Sequence, residues 1–461
     1  MIFRFSLYGF LKNQRYFEPF FMLALLSQGL SFFMVGVLYA FRSIVINLLE
    51  IPSGAIADSY GRRVTMITSL VSYILSFSIF ALAPNVAFLF LAMLLYGIGD
   101  ALRTGTHKAM IFEWLKLRGE EEERTRVYGL TRSWSKFGSA ASAVVASILV
   151  ILTDDFRTVF LLATIPYIFN LVNLIGYPAE LDGLVYGENL GRTIKSLGRK
   201  LKTTIENTTQ KKSLRETLAE SMAWDGVFAT IKDYIQPAMM LVFTASILGV
   251  AATDDELVAR DGPTIDTWAV VAVGFVYTLL FLASGFASRY SHQLVDRRGS
   301  VRSASELLWQ INAGLFGAML LFDLVGLQSI VVLIFVALAV LQNLWRPVLI
   351  TRIDRYSKSG KSATILSLES QAQRLVTLVL GPLLGLLVDV ARVDGVPGTF
   401  WPLALAGGSA AGAAWWILYR QSPNENEPNE EHTPESRETS DAKVDPKDEG
   451  DSSEPEEVVP L

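Results

Sequence analysis

The stretch IADSYGRRV (residues 56–64) closes one long apolar run, and LVDRRGSVR (294–302) closes another far downstream. Both read Asp-x-x-Gly with clustered arginines. Outward from these two loops, apolar runs recur from Tyr16 to Tyr419, broken by short charged segments. Each run is about 20 residues long, which is what a helix needs to cross roughly 30 Å of hydrocarbon. In lipid, backbone N–H and C=O groups must bond within the segment, so these runs must be helices. The pattern places spans at 14–34, 36–57, 64–83, 86–106, 127–152, 158–178, 227–251, 266–288, 304–322, 328–350, 364–388 and 398–419. No clear polar break divides the first two. The run from 86 to about 117 reads as one helix projecting beyond the membrane.

The two Asp-x-x-Gly loops follow spans two and eight, six spans apart. A second pair, RTRVYGLTRSWSKFGSAAS (124–142) and GKSATILSLESQAQRLVTLVLGPLLG (360–385), opens the fifth span of each half and ends in small residues. The expected fold is therefore all-α and integral to the membrane, with twelve transmembrane helices in two pseudo-symmetric six-helix bundles. Such repeats enclose a solute site between them, near the bilayer midplane. The expected domains are an N-terminal bundle (1–178), a linker (179–226), a C-terminal bundle (227–420) and a tail (421–461).

Charge sets the orientation. Arg62, Arg63, Lys116, Arg118, Arg124, Arg126, Arg297, Arg298, Arg302, Arg352 and Arg355 fall in one set of loops, and the opposite set holds Arg157, Arg260 and Arg392 near acids. By the positive-inside rule both termini and the linker are cytoplasmic, in a plasma membrane, with the first helix retained. In the linker, Leu190, Ile194, Leu197, Leu201 and Ile205 recur at helical spacing opposite basic residues. That suits a helix tethering the halves along an anionic leaflet. The net charge of -5 hides a tail with 14 acidic residues against 3 basic ones. Such a tail buries too little apolar surface to fold and is expected to be disordered.

Several function classes fall away. The chain has no cysteine, hence neither disulfide nor thiolate metal site. Three histidines do not suggest a metal centre. SGKS (359–362) lacks the first glycine and the strand of a phosphate loop, since Arg355 stands at that place. Asn207-Thr-Thr is a sequon on the cytoplasmic side. No nucleophile–base pair is evident. The reading is not an enzyme, with no cofactor, metal, nucleotide or nucleic acid; its partners are a small solute and the bilayer, and it is a monomer.

Over residues 10–420 the sequence resembles the major facilitator superfamily. GAIADSYGRR (54–63) resembles that family's loop between spans two and three, with Gly54, Asp58, Gly61, Arg62 and Arg63 in place and Ser59 where a basic residue is common. The second copy keeps Asp296, Gly299 and Arg302. The resemblance implies a charged latch that holds one face closed and breaks on opening. Gly61 would permit a tight turn, Gly54 a close helix approach, and Asp58 with Arg62 and Glu113 with Arg126 would pair. YGIGDALRTGT (96–106) resembles the fourth-span pattern, with Met93 where many proton-coupled members carry arginine. GSAAS (138–142) replaces the Gly-Pro-x-x-Gly bend of drug antiporters by Ser139 and Ser142, and GPLLG (381–385) carries that bend in span eleven.

Ionisable groups at membrane depth are costly and point to function. Glu50, Asp100, Arg103, His107, Arg132, Lys136, Asp233, Arg346, Glu369 and Arg374 are the candidates for transport and coupling. Asp100, Arg103 and His107 fall three and four residues apart, on one helix face. Glu50 and Asp100 are the proposed proton carriers. Arg103, Arg132 and Lys136 would attract an anionic group or act as counter-ions. Trp134, Trp309, Trp345 and Tyr277 would line the cavity, and Trp401, Trp415 and Trp416 would anchor at the interface. The expected function is secondary active transport of a small organic solute by alternating access, proton-coupled rather than sodium-coupled, and directed outward. The alternatives are a nutrient importer and a non-transporting sensor or assembly factor of the same fold.

Overall fold

The computed structural model describes residues 1–182, 212–248, 267–356, 362–393 and 398–420. The linker helix around 190–205 and the acidic tail lie outside them. Every regular element among the described residues is helical. The helices are α1 (Ile2–Leu11), α2 (Phe21–Leu26), α3 (Phe32–Tyr60), α4 (Arg62–Leu82), α5 (Val86–Arg103), α6 (Thr106–Leu117), α7 (Arg124–Thr153) and α8 (Thr158–Ile175). After the linker come α9 (Lys212–Ser221), α10 (Val227–Ile231), α11 (Ile235–Leu248), α12 (Thr267–Arg298), α13 (Val301–Leu324), α14 (Gln328–Tyr356), α15 (Ser362–Val393) and α16 (Trp401–Trp415). Among the described residues, nine helices are long and apolar enough to cross a membrane. Shorter pieces make three further passes: α1 with α2, α9 to α11, and α16 with the π turn Trp416–Arg420. Twelve passes result.

Three boundaries differ from the sequence reading. The first pass starts at Ile2 rather than near residue 14, and the turn into the second falls at 27–31. Gly29 takes φ +79° there. The Ser31 hydroxyl then accepts from the Met34 amide and caps α3. The stretch 86–117 is two helices, because Thr104 is extended and Gly105 takes φ +79°. The seventh pass begins at Lys212, fifteen residues before the expected 227, and contains a π turn at Met222–Gly226 and a 3₁₀ turn at Lys232–Tyr234. Such π turns occur frequently at functional sites.

The repeat predicted from the loops is visible in three dimensions. Gly61 (φ +95°) joins α3 to α4, and Gly299 (φ +73°) joins α12 to α13. Positive φ is routine for glycine and strained for other residues. Just past each turn an arginine reaches a carbonyl at the end of the sixth pass of its own half. Arg63 Nη1 donates to Tyr177 O at 2.9 Å, and Arg302 Nη2 donates to Leu418 O at 3.3 Å. Exposed carbonyls at a helix C-terminus carry partial negative charge, so both contacts are favourable.

The two groups of helices meet chiefly along α3 and α15, which run antiparallel. A Cβ on Gly36 would lie 2.2 Å from Gly381 O, and one on Gly385 would lie 2.3 Å from Phe32 O. Only residues without side chains let the backbones approach so closely. Asp389 of α15 accepts from the Phe32 and Phe33 amides at 3.0 and 2.8 Å. At the corresponding ends of α7 and α12, Ser147 Oγ donates to Val270 O at 3.2 Å.

Candidate functional site

The ionisable groups of the membrane interior gather in three places. In the first group of helices, Asp100 of α5 is 7 % exposed and accepts from Arg42 of α3 and from the Tyr73 hydroxyl of α4. Arg103 Nη2 lies 3.5 Å and Arg15 Nη2 3.8 Å from the same carboxylate. Arg103 Nε donates to Tyr73 OH at 3.0 Å, and Arg15 Nε donates to Tyr167 OH at 3.0 Å. The Arg42 guanidinium lies 4.1 Å from the centre of the Tyr96 ring. Aromatic faces attract cations, so tyrosines share the load of the surplus positive charge. Three guanidiniums thus surround the one carboxylate of Asp100, expected from the sequence as a proton carrier.

Arg15 and Arg42 are missing from the sequence-based candidates. Arg42 was legible as a lone cation inside YAFRSIV. Arg15 stood at the very start of the first span as drawn (14–34), and the earlier start of that pass brings it indoors.

In the second group, Arg346 of α14 bridges Asp225 and Glu369, which are 5 % and 0 % exposed. Arg346 Nη2 donates to Glu369 Oε2 at 3.0 Å. Gln373, Gln342 and Ser221 donate further bonds to these carboxylates. Next to it, the fully buried Glu220 accepts from Trp309 Nε1 at 2.7 Å and from Tyr419 OH at 2.7 Å, and pairs with Arg352. Buried charges are tolerated only when paired and hydrogen-bonded. Trp309 and Trp345 are fully buried and pack edge-on against Trp224, at 4.7 and 4.9 Å. They are core residues, not the cavity lining expected of them. Trp134 is exposed beside Phe10. Asp225 and Glu220 sit near the π turn, in a stretch the sequence reading assigned to the linker.

The third place joins the groups. Arg374 of α15 pairs with Glu50 of α3 and donates to Asn47 Oδ1 at 3.0 Å, while Ser367 Oγ donates to Glu50 Oε1 at 3.0 Å. Among the described residues this is the one ion pair that crosses between the groups.

Two cavities lie beside these clusters. The first, about 390 Å³, is bounded by α1, α6 and α7 and is lined by Lys12, Arg132, Lys136 and His107. The second, about 160 Å³, brings Glu18 and Lys136 against Asp233, Tyr277 and Phe281. Lys136 faces both. Asp233 lies 3.8 Å from Lys232 Nζ. His107 stacks on Tyr8 with centroids 3.8 Å apart, and its Nε2 is 3.3 Å from Tyr177 OH. The break at Gly105 separates His107 from the Asp100–Arg103 helix, so the three do not form the single face that their spacing suggested.

The motif pairs also differ from expectation. Arg62 Nη1 donates to Glu113 Oε2 at 3.2 Å, and Arg126 Nη1 donates to Glu123 Oε2 at 2.9 Å. Asp58 and Asp296 are exposed. Gly54 faces open space rather than a neighbouring helix. Arg62 and Glu113 come from adjacent helices of one group, and Arg126 reaches the closer acid three residues back.

Twelve passes in two related groups, with one polar and one largely apolar cavity beside buried charge clusters, make a multi-pass membrane protein. The Major Facilitator Superfamily model matches residues 13–368, and the chain belongs to that family. It is 28% identical over 136 residues to the uncharacterized MFS-type transporter YxaM of Bacillus subtilis, covering 29% of this chain and 33% of that protein. It is 30% identical over 133 residues to the multidrug resistance protein MdtH of Cronobacter sakazakii, covering 29% and 32%. These matches span about a third of each relative. The crystal structure of the nucleoside transporter NupG superposes with a TM-score of 0.66 at 10% identity, over 90% of this chain and 97% of that one.

Proposed function

We propose that the protein is a secondary active transporter that carries a small organic solute outward across the plasma membrane, with both termini cytoplasmic, in exchange for protons. The supporting observation is the Glu50–Arg374 pair. It is the ionic tie between the two groups of helices, and it includes a group that can take up a proton. Protonating Glu50 removes its attraction for Arg374 and loosens α3 from α15, so proton uptake and rocking of the halves are one event. The ties at Asp389 and Ser147 lie at the ends of α3, α7, α12 and α15 remote from the Gly61 and Gly299 turns. A cavity bounded by the motif-side parts of α1 and α7 then faces the cytoplasm. Outward direction is supported by the local similarity to a multidrug resistance protein.

The test uses proteoliposomes with a trapped pH-sensitive dye and a panel of anionic, cationic and neutral aromatic solutes. A solute that drives proton movement through wild-type protein, and not through the Glu50→Gln variant, supports the reading. Solute flux indifferent to an imposed pH gradient and to that substitution removes proton coupling. Lower intracellular accumulation of the solute on deleting the protein removes the outward direction.

A further inference from the structure

Five carboxylates of the membrane interior are paired: Asp100 and Glu220 with arginines of their own group, Asp225 and Glu369 with the single Arg346 they share, and Glu50 with Arg374. Three cations are not. Lys12, Arg132 and Lys136 share the wall of the larger cavity, and none of them forms an ion pair among the described residues. Arg15, Arg42 and Arg103 stand behind that wall with only Asp100 between them. Taken together, the two cavities present Lys12, Arg132, Lys136 and Lys232 against two carboxylates, Glu18 and Asp233. Lys232 and Asp233 lie beside each other. The surplus is therefore positive and sits on the α1–α7 side.

The smaller cavity is different in character. Phe228, Tyr277, Leu280, Phe281 and Phe335 give it a largely apolar wall. Lys136 is the hinge between the two environments, since it lines both. A ligand spanning the two would place a negative group among Lys12, Arg132 and Lys136, and an apolar or aromatic body against Tyr277 and Phe281. Cations gathered in one cavity without paired carboxylates attract anions, and arginine matches a carboxylate with two parallel hydrogen bonds. Apolar walls with a few convergent polar groups are the common form of small-molecule sites.

We infer that the solute is an amphipathic organic anion, an aromatic carboxylate or a compound of like chemistry, bound with its anionic end at Lys12, Arg132 and Lys136. The inference rests on the transporter reading above and gives its substrate class. A cation would meet four positive side chains against two carboxylates, and a neutral aromatic would leave Lys12, Arg132 and Lys136 uncompensated.

The test measures binding to the purified full-length protein in detergent by the shift of its thermal unfolding, with benzoate, benzylamine, benzyl alcohol and inorganic phosphate as probes. A ligand that binds only the folded state raises the unfolding midpoint. Benzoate is expected to stabilise the protein, and benzylamine is not. Arg132→Gln and Lys136→Gln should each weaken benzoate about tenfold or more, as expected for loss of a charged hydrogen bond. Lys136→Arg should retain most of the affinity. Unfolding of each variant without ligand shows whether it is folded. Equal or stronger stabilisation by benzylamine or benzyl alcohol overturns the inference, and so does stabilisation by phosphate that matches benzoate. Benzoate affinity unchanged in both glutamine variants overturns it as well. Binding of benzoate without any flux in proteoliposomes would leave the inference standing and remove the transport reading. Flux of benzylamine would do the reverse.

Discussion

The close approach of α3 and α15 gives a sharp prediction for Gly36→Ala. The added Cβ would fall 2.2 Å from Gly381 O, 2.6 Å from Gly381 C and 2.9 Å from Pro382 N. All three are backbone atoms and cannot swing aside. To reach ordinary contact the carbonyl must retreat from 2.2 Å to at least 3.4 Å, so the helices part locally. Overpacking of this kind costs about 1–3 kcal/mol. The cost falls only on the state in which α3 and α15 touch here. The balance between this state and one open on the Asp389 side should therefore shift about 5- to 150-fold. The chain has no cysteine, so Ser139→Cys, in the wall of the larger cavity, supplies a unique thiol. Its labelling by a membrane-impermeant maleimide can be followed from each face of oriented proteoliposomes. Gly36→Ala should speed labelling from the face that bears Ser31 and slow it from the face that bears Gly61. Unchanged rates from both faces, with an unchanged unfolding temperature, would refute the reasoning.

Arg346→Ala leaves Asp225 and Glu369 buried together without a cation. Stranding buried charge costs about 3–5 kcal/mol, so the unfolding temperature in detergent should fall markedly, and Arg346→Lys should restore part of it. Gly61→Ala forces a side chain into φ +95° and brings Cβ within 2.9 Å of Asp182 Cγ. About 1–2 kcal/mol of strain is expected, read as faster hydrogen exchange at the α3–α4 turn; exchange as slow as in the wild-type protein would contradict it.

Much of the fold was legible because membrane spans and repeated loops are local signals. Asp58-x-x-Gly61 and Asp296-x-x-Gly299 located a turn at the same place in both halves, and both glycines take positive φ. The boundaries failed where the apolar pattern ran on without a break. Phe32 and Leu26 are both apolar, and only Gly29 and Ser31 between them mark the turn. The site was harder to read. Nothing in the spacing says that Arg62 meets Glu113, or that Arg346 of one helix joins Asp225 and Glu369 of two others, since those pairings depend on how helices stack. The candidates Glu50 and Arg374 were each visible as costly charges in apolar runs, but their meeting across 324 residues was not. Lys12, at the C-terminal cap of the short first helix, lay outside the spans as drawn, although it helps to form the cavity wall.

The distribution of the arginine–carboxylate pairs bears on how readily the molecule can change shape. Asp100, Glu220, Asp225 and Glu369 travel with their cations whenever one set of helices tilts against the other, so no buried ion is abandoned on the way. Between the two groups, among the described residues, lie the Glu50–Arg374 pair, the two amides held by Asp389, neutral hydrogen bonds such as Ser147 to Val270 and Gln236 to the Glu18 carbonyl, and a short glycine-lined seam. On the proposed transport reading, a few kcal/mol of preferential solute binding would tip such an arrangement from one shape to the other.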